Sequence, residues 1–386
     1  MLQNTIFNFL HLHIDKTRPV LLALSGGVDS MCLFHGVAKW KNETGAQVAI
    51  VHVDHGWRKE SAEEAKIVMQ LATDYDIPFY HITLSPENFQ KNLELESRDA
   101  RYRFFSEVAE KLGAQGVLLA HHKDDQVETV FKRVLDGARL SHLSGMRAVS
   151  KNENLVLFRP LLQIPKKSLL EYAMEHGISF FSDPTNRDTD FLRARMRETI
   201  FPFLREQFGK EFENNMAALS AEAALLRDYF DEKMKPVIKN CIESDLGLYF
   251  DLSKEHWHQL EWMECIRAIL EKTKCVLSRQ QVQEAVTFLM QKSANKWLHA
   301  QKRFLYFDRG RLFVLYEKQE VIPYGTKLRM GSQLVGSYAV TVEKVNAVGA
   351  VSNHWIDFFK GNCHTYVPLK EYTINKPTGR LYRKNR

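Results

Sequence analysis

An apolar run that breaks into two adjacent glycines constrains this chain more than any other stretch. Residues 22–30 have the sequence Leu-Ala-Leu-Ser-Gly-Gly-Val-Asp-Ser, and the residues that follow have a helical pattern. Paired glycines allow positive φ angles and a close approach of the backbone to a ligand, while the serines and Asp29 can hydrogen-bond at or near a helix start. Amide N–H groups aimed outward at such a start suit an anion. The stretch therefore predicts a phosphate-binding loop between a strand and a helix.

This loop brings no positive charge of its own. It does not follow the Walker A pattern G-x-x-x-x-G-K-S/T, because no lysine lies between residues 22 and 30. The charge that faces a bound phosphate must therefore come from another part of the chain. An ordinary strand-to-helix turn is the alternative for a bare glycine pair, but the complete Ser-Gly-Gly-Val-Asp-Ser string favours a phosphate loop.

The first half of the chain alternates strand and helix signals. Short apolar runs separated by helical patterns predict a Rossmann-like parallel sheet with helices on both faces. Ligands of such sheets bind in the crevice beyond the carboxyl ends of the strands. The predicted strands are residues 20–24, 47–53, 78–84, 116–120 and 155–158.

Polar and chargeable residues follow the second and fourth of these strands, at residues 52–58 and 121–128. Two histidine groups there have the chemistry of transition-metal ligands, although loop histidines more commonly make hydrogen bonds without a metal. The residues concerned are His52 and His55, and His121 and His122 with Asp124.

Asp125 and Glu128 lie three residues apart on a predicted helix and so share one face. Hard carboxylate oxygens suit Mg²⁺ that bridges to phosphates, or the ammonium group of an amine substrate. A solvated acidic helix face is the alternative that the spacing alone leaves open.

Arginines can supply the charge that the loop lacks. Arg98 and Arg101 lie one helical turn apart beside an apolar stripe, and the planar guanidinium fork matches phosphate. Surface salt bridges with neighbouring acidic residues are the alternative for this pair. Three further arginines alternate at residues 193, 195 and 197, and we expect at least one of them to reach a nucleotide or RNA phosphate.

The length of 386 residues exceeds what one ordinary core organises, so two or three domains are expected. After the parallel sheet the sequence predicts a mainly helical domain with a long connecting helix, and then a small β-rich C-terminal domain with strands within 328–345. The predicted boundaries are 1–204, 205–315 and 316–386. The basic residues near the C-terminus are either an RNA contact or a solvated end.

The charge and the cysteines restrict the class of protein. A net charge of +6 is compatible with a polyanionic partner but is too mild to indicate one. The five scattered cysteines form no C-x-x-C pair, so we predict reduced thiols with neither a zinc site nor an iron–sulfur cluster. No stretch has the pattern of a secretory signal or a membrane span, which predicts a cytoplasmic protein.

The ordered motifs of the N-terminal half resemble one family closely. The glycine loop resembles that of the PP-loop ATP-pyrophosphatase superfamily, whose members split ATP into AMP and pyrophosphate to activate a carbonyl or similar group. Within that superfamily, residues 18–204 resemble the tRNA(Ile)-lysidine synthetase family. The matching stretches are residues 25–30, 51–58, 96–102, 120–129, 159–162 and 183–197.

One departure from that family is visible. Ala194 lies where the family usually carries asparagine, so the role of that side chain is lost or is met by a neighbour such as Asn186. The arginines on either side, Arg193 and Arg197, match the family pattern.

The resemblance implies a two-step reaction on the wobble cytosine of the CAU anticodon in tRNA(Ile). ATP adenylates the C2 carbonyl oxygen, and the ε-amine of free L-lysine then displaces AMP to form lysidine. The implied cofactors are ATP and Mg²⁺, and a homodimer is compatible with the sequence.

The resemblance also implies roles for individual residues. Asp125 and Glu128 would bind the lysine ammonium, Asp29 and Asp125 would bind Mg²⁺, and the sequence does not decide which carboxylate serves which ligand. The implied catalytic residues are Asp29, Arg98, Asp125, Glu128 and Arg193. The implied ATP-binding residues are Ser25, Gly26, Gly27, Val28, Asp29, Ser30, His55 and Arg101.

Other functions share parts of this pattern. A tRNA thiolase has the same kind of loop but usually needs paired cysteines or a cluster, and a GMP synthetase would need a glutaminase domain that the sequence does not indicate. A metal-dependent hydrolase built on the histidines is a further alternative. A non-catalytic tRNA-binding protein is the last, although intact Asp29, Asp125 and Glu128 argue against it.

Overall fold

The structure is a computed structural model of the 386-residue chain. It divides into two compact units, Met1–Arg227 and Asp228–Arg386. Our division into three domains, with boundaries after residues 204 and 315, stays a prediction. The structure describes residues 2–54, 56, 61–85, 93–181, 192–208, 212–244, 247–301, 303–316, 331–335 and 338–342.

The first unit contains a six-stranded sheet of order β3-β2-β1-β4-β6-β5. Every pairing is parallel except that of β5 with β6, which form an antiparallel hairpin at one edge. The five predicted strands are confirmed, whereas β5 was not predicted. The strands are β1 (Val20–Ala23), β2 (Val48–Asp54), β3 (Phe79–Thr83), β4 (Val117–Leu118), β5 (Val149–Asn152) and β6 (Leu155–Phe158).

Helices cover both faces of this sheet, so the predicted fold class is confirmed. On one face the apolar sides of α1, α2, α3 and α6 pack together with the strands into one core, which includes the fully buried Trp40. On the other face α4 packs Phe105 and its apolar neighbours against the strands. The helices are α1 (Leu2–His13), α2 (Val28–Thr44), α3 (Ser61–Asp74), α4 (Leu93–Leu112), α5 (Lys123–Leu135) and α6 (Lys166–Glu175).

The chain after the sheet is helical but irregular at its start. A single turn, α7 (Leu192–Arg195), runs into a π-helical stretch, Met196–Ile200, and then into α8 (Phe201–Phe208). The expected long helix is α9 (Phe212–Lys239), which contains Pro236 in its last turns. Single-turn π-helical insertions re-aim side chains and occur frequently at functional sites.

The second unit combines helices with an antiparallel sheet of order β7-β8-β11-β10-β9. The aromatic stretch at residues 303–316 forms two antiparallel strands, β10 and β11, joined through the tight turn at Arg309 and Gly310. Leu305, Leu312 and Ile266 lie in the core between this sheet and the two helices. The elements are β7 (Ile242–Ser244), β8 (Gly247–Asp251), α10 (Gln259–Thr273), α11 (Arg279–Met290), β9 (Lys296–Ala300), β10 (Arg303–Asp308) and β11 (Arg311–Leu315).

A two-stranded antiparallel sheet follows, formed by β12 (Gly331–Val335) and β13 (Tyr338–Val342). Both strands lie within the predicted β-rich stretch, 328–345. The predicted basic C-terminal segment lies outside the described residues.

Candidate active site at the carboxyl edge of the parallel sheet

The glycine loop connects β1 to α2, as predicted. Gly26 has a φ of +86°, and a Cβ at this position would lie 2.4 Å from a ring carbon of Phe181. The Gly26 carbonyl accepts a hydrogen bond from the Phe181 amide at 2.9 Å, which ties the loop to a distant part of the chain. Only glycine fits here, because the backbone is left-handed and the aromatic ring fills the space of a side chain.

Ser30 holds the loop from inside. Its Oγ accepts hydrogen bonds from the amides of Ser25 and Gly26, at 3.2 and 3.1 Å, and donates to the Gly27 carbonyl at 2.9 Å. These bonds turn the loop into a rigid bend. The remaining donors belong to the first turn of α2, whose N–H groups have no intrahelical partner, and no side chain caps this end. An anion can therefore bind there.

Asp29 lies in that first turn and carries a close cation. The Lys166 Nζ lies 2.7 Å from both carboxylate oxygens of Asp29, although the two residues are 137 positions apart. Lys166 is the first residue of α6, and its backbone N–H donates to Oδ2 of Asp124 at 2.9 Å. The sequence analysis assigned no role to Lys166.

His122 lies between three carboxylates at the start of α5. Its Nε2 lies 3.7 Å from Asp29 and 3.5 Å from Asp125, and its Nδ1 lies 3.5 Å from Asp124. Burial opposes the charged form, but these carboxylates outweigh it and raise the pKa of His122. The imidazole thus acts as a partial counterion for the carboxylates around it.

Asp125 and Glu128 share one guanidinium. Arg197 donates through Nη2 to Asp125 at 3.0 Å and to Glu128 at 3.1 Å, and its Nε also donates to Glu128. Glu128 is only 2% exposed, and burial raises the pKa of its carboxyl although Arg197 opposes this. Asp125 also accepts a hydrogen bond from the His122 amide at 3.0 Å. The alternative of a solvated acidic helix face is therefore wrong, because the two carboxylates form a paired, largely buried cluster.

We call Asp29, Asp124, Asp125 and Glu128 the acidic group. Its members have nearby cations within the described chain, namely Lys166, His122 and Arg197. Arg197 reaches them from the π-helical stretch.

A second set of charges is exclusively cationic, and we call Arg98, Arg101, Arg159 and Arg193 the arginine group. The guanidinium carbons of Arg98 and Arg101 lie 4.9 and 5.5 Å from the centre of the Tyr102 ring. Arg159 is 5% exposed and donates to the Arg147 carbonyl and the Ser150 hydroxyl, which are neutral acceptors. Within the described ranges, neither Arg101 nor Arg159 forms an ion pair with a carboxylate.

The pKa shifts show that these cations act on one another. Burial lowers the pKa of Arg101, and the charges of Arg98 and Arg193 lower it further. Burial also lowers the pKa of His121 to about 3, with Arg159, Arg101 and Arg193 acting in the same direction and Asp125 against it. A neutral histidine beside several arginines marks a region that is short of negative charge, which suits an anionic ligand.

The structure brings Asp29, Asp125 and Glu128 to one edge of the sheet, and the charge of Arg193 acts on Arg101, His121 and Glu128. The Nδ1–H of His52 donates a hydrogen bond to the Leu24 carbonyl at 2.7 Å, beside the loop. His55, which was predicted to bind ATP, lies outside the described residues.

The sequence analysis assigned no role to Arg159 or Lys166, and it considered His122 only as a possible metal ligand. Arg159 begins the Arg-Pro-Leu-Leu stretch at residues 159–162, and Lys166 lies shortly after that stretch. Their position after the fifth predicted strand was the signal, because the carboxyl ends of parallel strands lie at one edge of the sheet.

In the described part of the chain, no group of three or more His, Cys, Asp or Glu side chains is arranged to hold a metal ion. No helix in that part is long and apolar enough to cross a membrane. Cys32, Cys241, Cys265 and Cys275 are free thiols.

Comparisons with known proteins extend these observations. A model of the PP-loop domain matches residues 2–204. The tRNA(Ile)-lysidine synthase of Protochlamydia amoebophila is 32% identical over 97% of this chain and 82% of its own length. That of Chlamydia pneumoniae is 42% identical over 60% of this chain and 72% of its own length.

One solved structure is more distant. The U34-tRNA thiolase NcsA from Methanococcus maripaludis with its 4Fe–4S cluster has a TM-score of 0.46 and 13% identity, over 58% of this chain and 78% of that chain. The relatives in the preceding comparison, by contrast, match by sequence across the catalytic half and beyond it. The chain belongs to the tRNA(Ile)-lysidine synthase family of PP-loop proteins.

Proposed function

We propose that this chain joins lysine to C2 of the wobble cytosine in the CAU anticodon of tRNA(Ile), with ATP as the energy source. The product, lysidine, pairs with A, so the tRNA decodes AUA instead of AUG. The observation that carries the proposal is the placement of a phosphate loop, an acidic group and an arginine group at one edge of the sheet. This edge therefore offers donors for a nucleotide and acceptors for an amine.

In the first step, the cytosine O2 forms a bond to the α-phosphorus of ATP, and pyrophosphate leaves with the electron pair of the broken bond. A ring carbonyl oxygen is a poor leaving group, and its ester with AMP is a good one. The loop from Ser25 to Ser30 would bind the phosphates through the first-turn amides of α2. Arg98, Arg101 and Arg193 would bind phosphate oxygens, where their mutual repulsion is relieved.

Asp29 fits the chemistry of a Mg²⁺ ligand. Mg²⁺ is usually bound by one or two carboxylates together with substrate phosphates, and Asp29 lies in the same helix turn as the free amides. Asp125 was also predicted as a ligand, and both carboxylates already have cationic partners, Lys166 for Asp29 and Arg197 for Asp125. Because Asp29 alone lies in the turn that would hold the phosphates, we propose Asp29 as the principal protein ligand and Asp125 as a support. When bound, the ion would neutralise charge that develops on the phosphates.

In the second step, Asp125 would take a proton from the lysine ε-ammonium, the resulting amine attacks C2, and AMP departs with the electron pair of the broken C2–O bond. We propose that Asp125 and Glu128 form the lysine site with different tasks. Asp125 is the more accessible of the two and would contact the ammonium, since a carboxylate has acceptor capacity beyond the two bonds it makes here. Glu128 is buried and would fix Arg197, which in turn fixes Asp125.

The partners follow from the same chemistry. The target cytosine must be splayed out of the anticodon stack to reach the crevice, as other enzymes that modify bases require. We expect the chain to act in the cytoplasm on tRNA(Ile) and free lysine, and a homodimer stays a prediction.

Incubation of the pure chain with labelled ATP, a CAU tRNA(Ile) transcript and single amino acids tests the proposal. Release of AMP and pyrophosphate should depend on the transcript, and lysidine formation should occur with lysine and with no other amino acid. A transcript with the anticodon GAU is the matched control. Modification that is indifferent to lysine would overturn the proposal and favour another PP-loop enzyme, such as a thiolase.

A further inference from the structure

The glycine loop is expected to bind an anion, although it carries the negative charge of Asp29 and no positive charge of its own. Its first-turn amides suit an anion, but Asp29 places a carboxylate in that same turn, where it repels a phosphate. The loop also lacks the lysine that contacts the β- and γ-phosphates in Walker A loops. A cation at Asp29 therefore decides whether the terminal phosphates of ATP can bind.

Lys166 is the side chain that the fold places there. Its ammonium touches both oxygens of Asp29 at 2.7 Å, and its side chain is 35% exposed. Its backbone N–H is fixed on Asp124, so the start of α6 is held while the four-carbon side chain keeps its freedom. A compact ammonium on such a side chain can move from a carboxylate to a nearby phosphate with little change elsewhere.

The neighbouring cations lie farther from Asp29 or bind other carboxylates. Arg197 is bound to Asp125 and Glu128, and the Nε2 of His122 lies 3.7 Å from Asp29 and 3.5 Å from Asp125. The arginine group lies beside Tyr102 and His121 and stays available for other phosphate oxygens. Among the described residues of the site, Lys166 thus makes the closest contact with the loop carboxylate, at 2.7 Å.

We infer that Lys166 is the leaving-group residue of the adenylation step. It neutralises Asp29 in the present arrangement and contacts the β- and γ-phosphates in the ATP complex, where it balances the charge of pyrophosphate as the bond to the α-phosphorus breaks. The inference rests on the proposed function, because it assumes that ATP is split between its α- and β-phosphates. Lys166 thus supplies, in addition to the arginine group, positive charge that the loop sequence lacks.

Pyrophosphate binding in the presence of Mg²⁺, measured by calorimetry, tests this role. Lys166→Met should bind pyrophosphate about tenfold or more weakly than the wild type, because an ion-paired hydrogen bond is lost. Lys166→Arg should retain most of the affinity. Lys167→Met is the matched control, since Lys167 is 87% exposed and lies beside Glu171, and it should bind like the wild type. AMP affinity should be the same in all four proteins.

A second measurement uses Mn²⁺ as a probe for Asp29, without nucleotide. If Lys166 competes with a divalent cation for this carboxylate, Lys166→Met should bind Mn²⁺ more tightly than the wild type in an electron paramagnetic resonance titration. A purely structural role predicts equal or weaker Mn²⁺ binding, and that result would overturn the inference. Equal pyrophosphate affinity in Lys166→Met and the wild type, or an equal loss for AMP and pyrophosphate, would also overturn it.

Lysidine formation by the wild type separates this inference from the proposed function. If the wild type forms lysidine but Lys166→Met binds pyrophosphate normally, the assignment of Lys166 alone is wrong. If the wild type forms no lysidine but Lys166→Met loses pyrophosphate affinity, the role of Lys166 stands and the proposed substrate is wrong.

Discussion

The acidic group and the arginine group lie at the same sheet edge but differ in how their charges are balanced. Lys166, His122 and Arg197 come from three separate helical segments to pair with the acidic group. Arg101 and Arg159 find no carboxylate among the described residues, and Arg98 lowers the pKa of each. The acidic group thus has counterions from the chain itself, whereas the arginine group needs a bound anion to balance its charge.

This difference separates stability from function. Breaking a buried ion pair leaves an uncompensated charge, so a change in the acidic group should cost stability as well as activity. Removing one of several repelling cations relieves strain, so a change in the arginine group should cost nucleotide binding while the protein becomes no less stable. Substitutions in the acidic group should thus lower both stability and activity, whereas substitutions in the arginine group should lower nucleotide binding without lowering stability.

The largest effect is expected for Asp29→Ala, because Asp29 belongs to the loop as well as to the acidic group. Adenylation of tRNA should fall by about a thousandfold or more, the scale seen when a group that stabilises transition-state charge is removed. The tRNA affinity, measured by filter binding, should stay nearly unchanged. An equal loss of both would mean that the loop is misplaced in this account.

Arg101→Met should separate ligand binding from stability. The affinity for ATP should fall by about tenfold to a hundredfold, because a charged hydrogen bond to phosphate is lost. The thermal midpoint of the ligand-free protein should stay equal or rise, since Arg101 is half-buried beside other cations. Arg103→Met, on the exposed side of the same helix, is the control for both measurements. A lower thermal midpoint with unchanged ATP affinity would show that Arg101 stabilises the fold and does not bind the nucleotide, which would contradict this contrast.

Glu128→Gln should cost both stability and lysine use. It leaves Arg197 with Asp125 as its one remaining carboxylate partner among the described residues, and the loss of this ion pair should make unfolding easier. The KM for lysine should rise more than the KM for ATP, because the position of Asp125 depends on Arg197. Glu110→Gln, an exposed change on α4, serves as the control. Unaltered lysine dependence would argue against the role of Glu128.

The smallest effect concerns the pH dependence of stability beside the arginine group. Because the pKa of His121 falls from 6.5 to about 3, the folded chain resists a proton that the unfolded chain accepts. The stability associated with His121 is therefore complete above pH 6.5 and is lost as the pH falls, by about 2 kcal/mol between pH 7 and pH 5.

Urea unfolding of the wild type and His121→Asn at both pH values measures this contribution. The variant should lose less stability on acidification, whereas His13→Asn, an exposed histidine on α1, should behave like the wild type. Parallel losses in all three proteins would show that His121 titrates normally.

The sequence allowed much of the catalytic unit to be predicted, because its signals are local. An apolar run, a glycine pair and a helix with Asp29 in its first turn are contiguous, and the βαβ rhythm orders the strands around them. The strand β5 was not predicted, because its four residues are partly or fully exposed and do not form a run of buried apolar side chains. The strands beside α10 and α11 lie within the stretch 205–315, which the sequence predicted as mainly helical.

The charge partners could not be predicted in the same way. The contact of Lys166 with Asp29 spans 137 positions, and that of Arg197 with Glu128 spans 69. Sequence spacing indicates which residues share a helix face, but it does not show which cation meets which carboxylate across the sheet. The sequence therefore predicted Asp125 and Glu128 as site residues, but it did not predict that Arg197 pairs with both of them.

The central claim is that the two groups serve successive steps, with nucleotide chemistry at the loop and arginines and lysine attack at the acidic group. A chase experiment tests it most directly: ATP labelled at the α-phosphate is incubated with the chain and CAU tRNA(Ile), first without lysine and then with it. The account predicts that label accumulates on the tRNA and is released as AMP when lysine is added. Label that never reaches the tRNA, or that stays there after lysine is added, would contradict it.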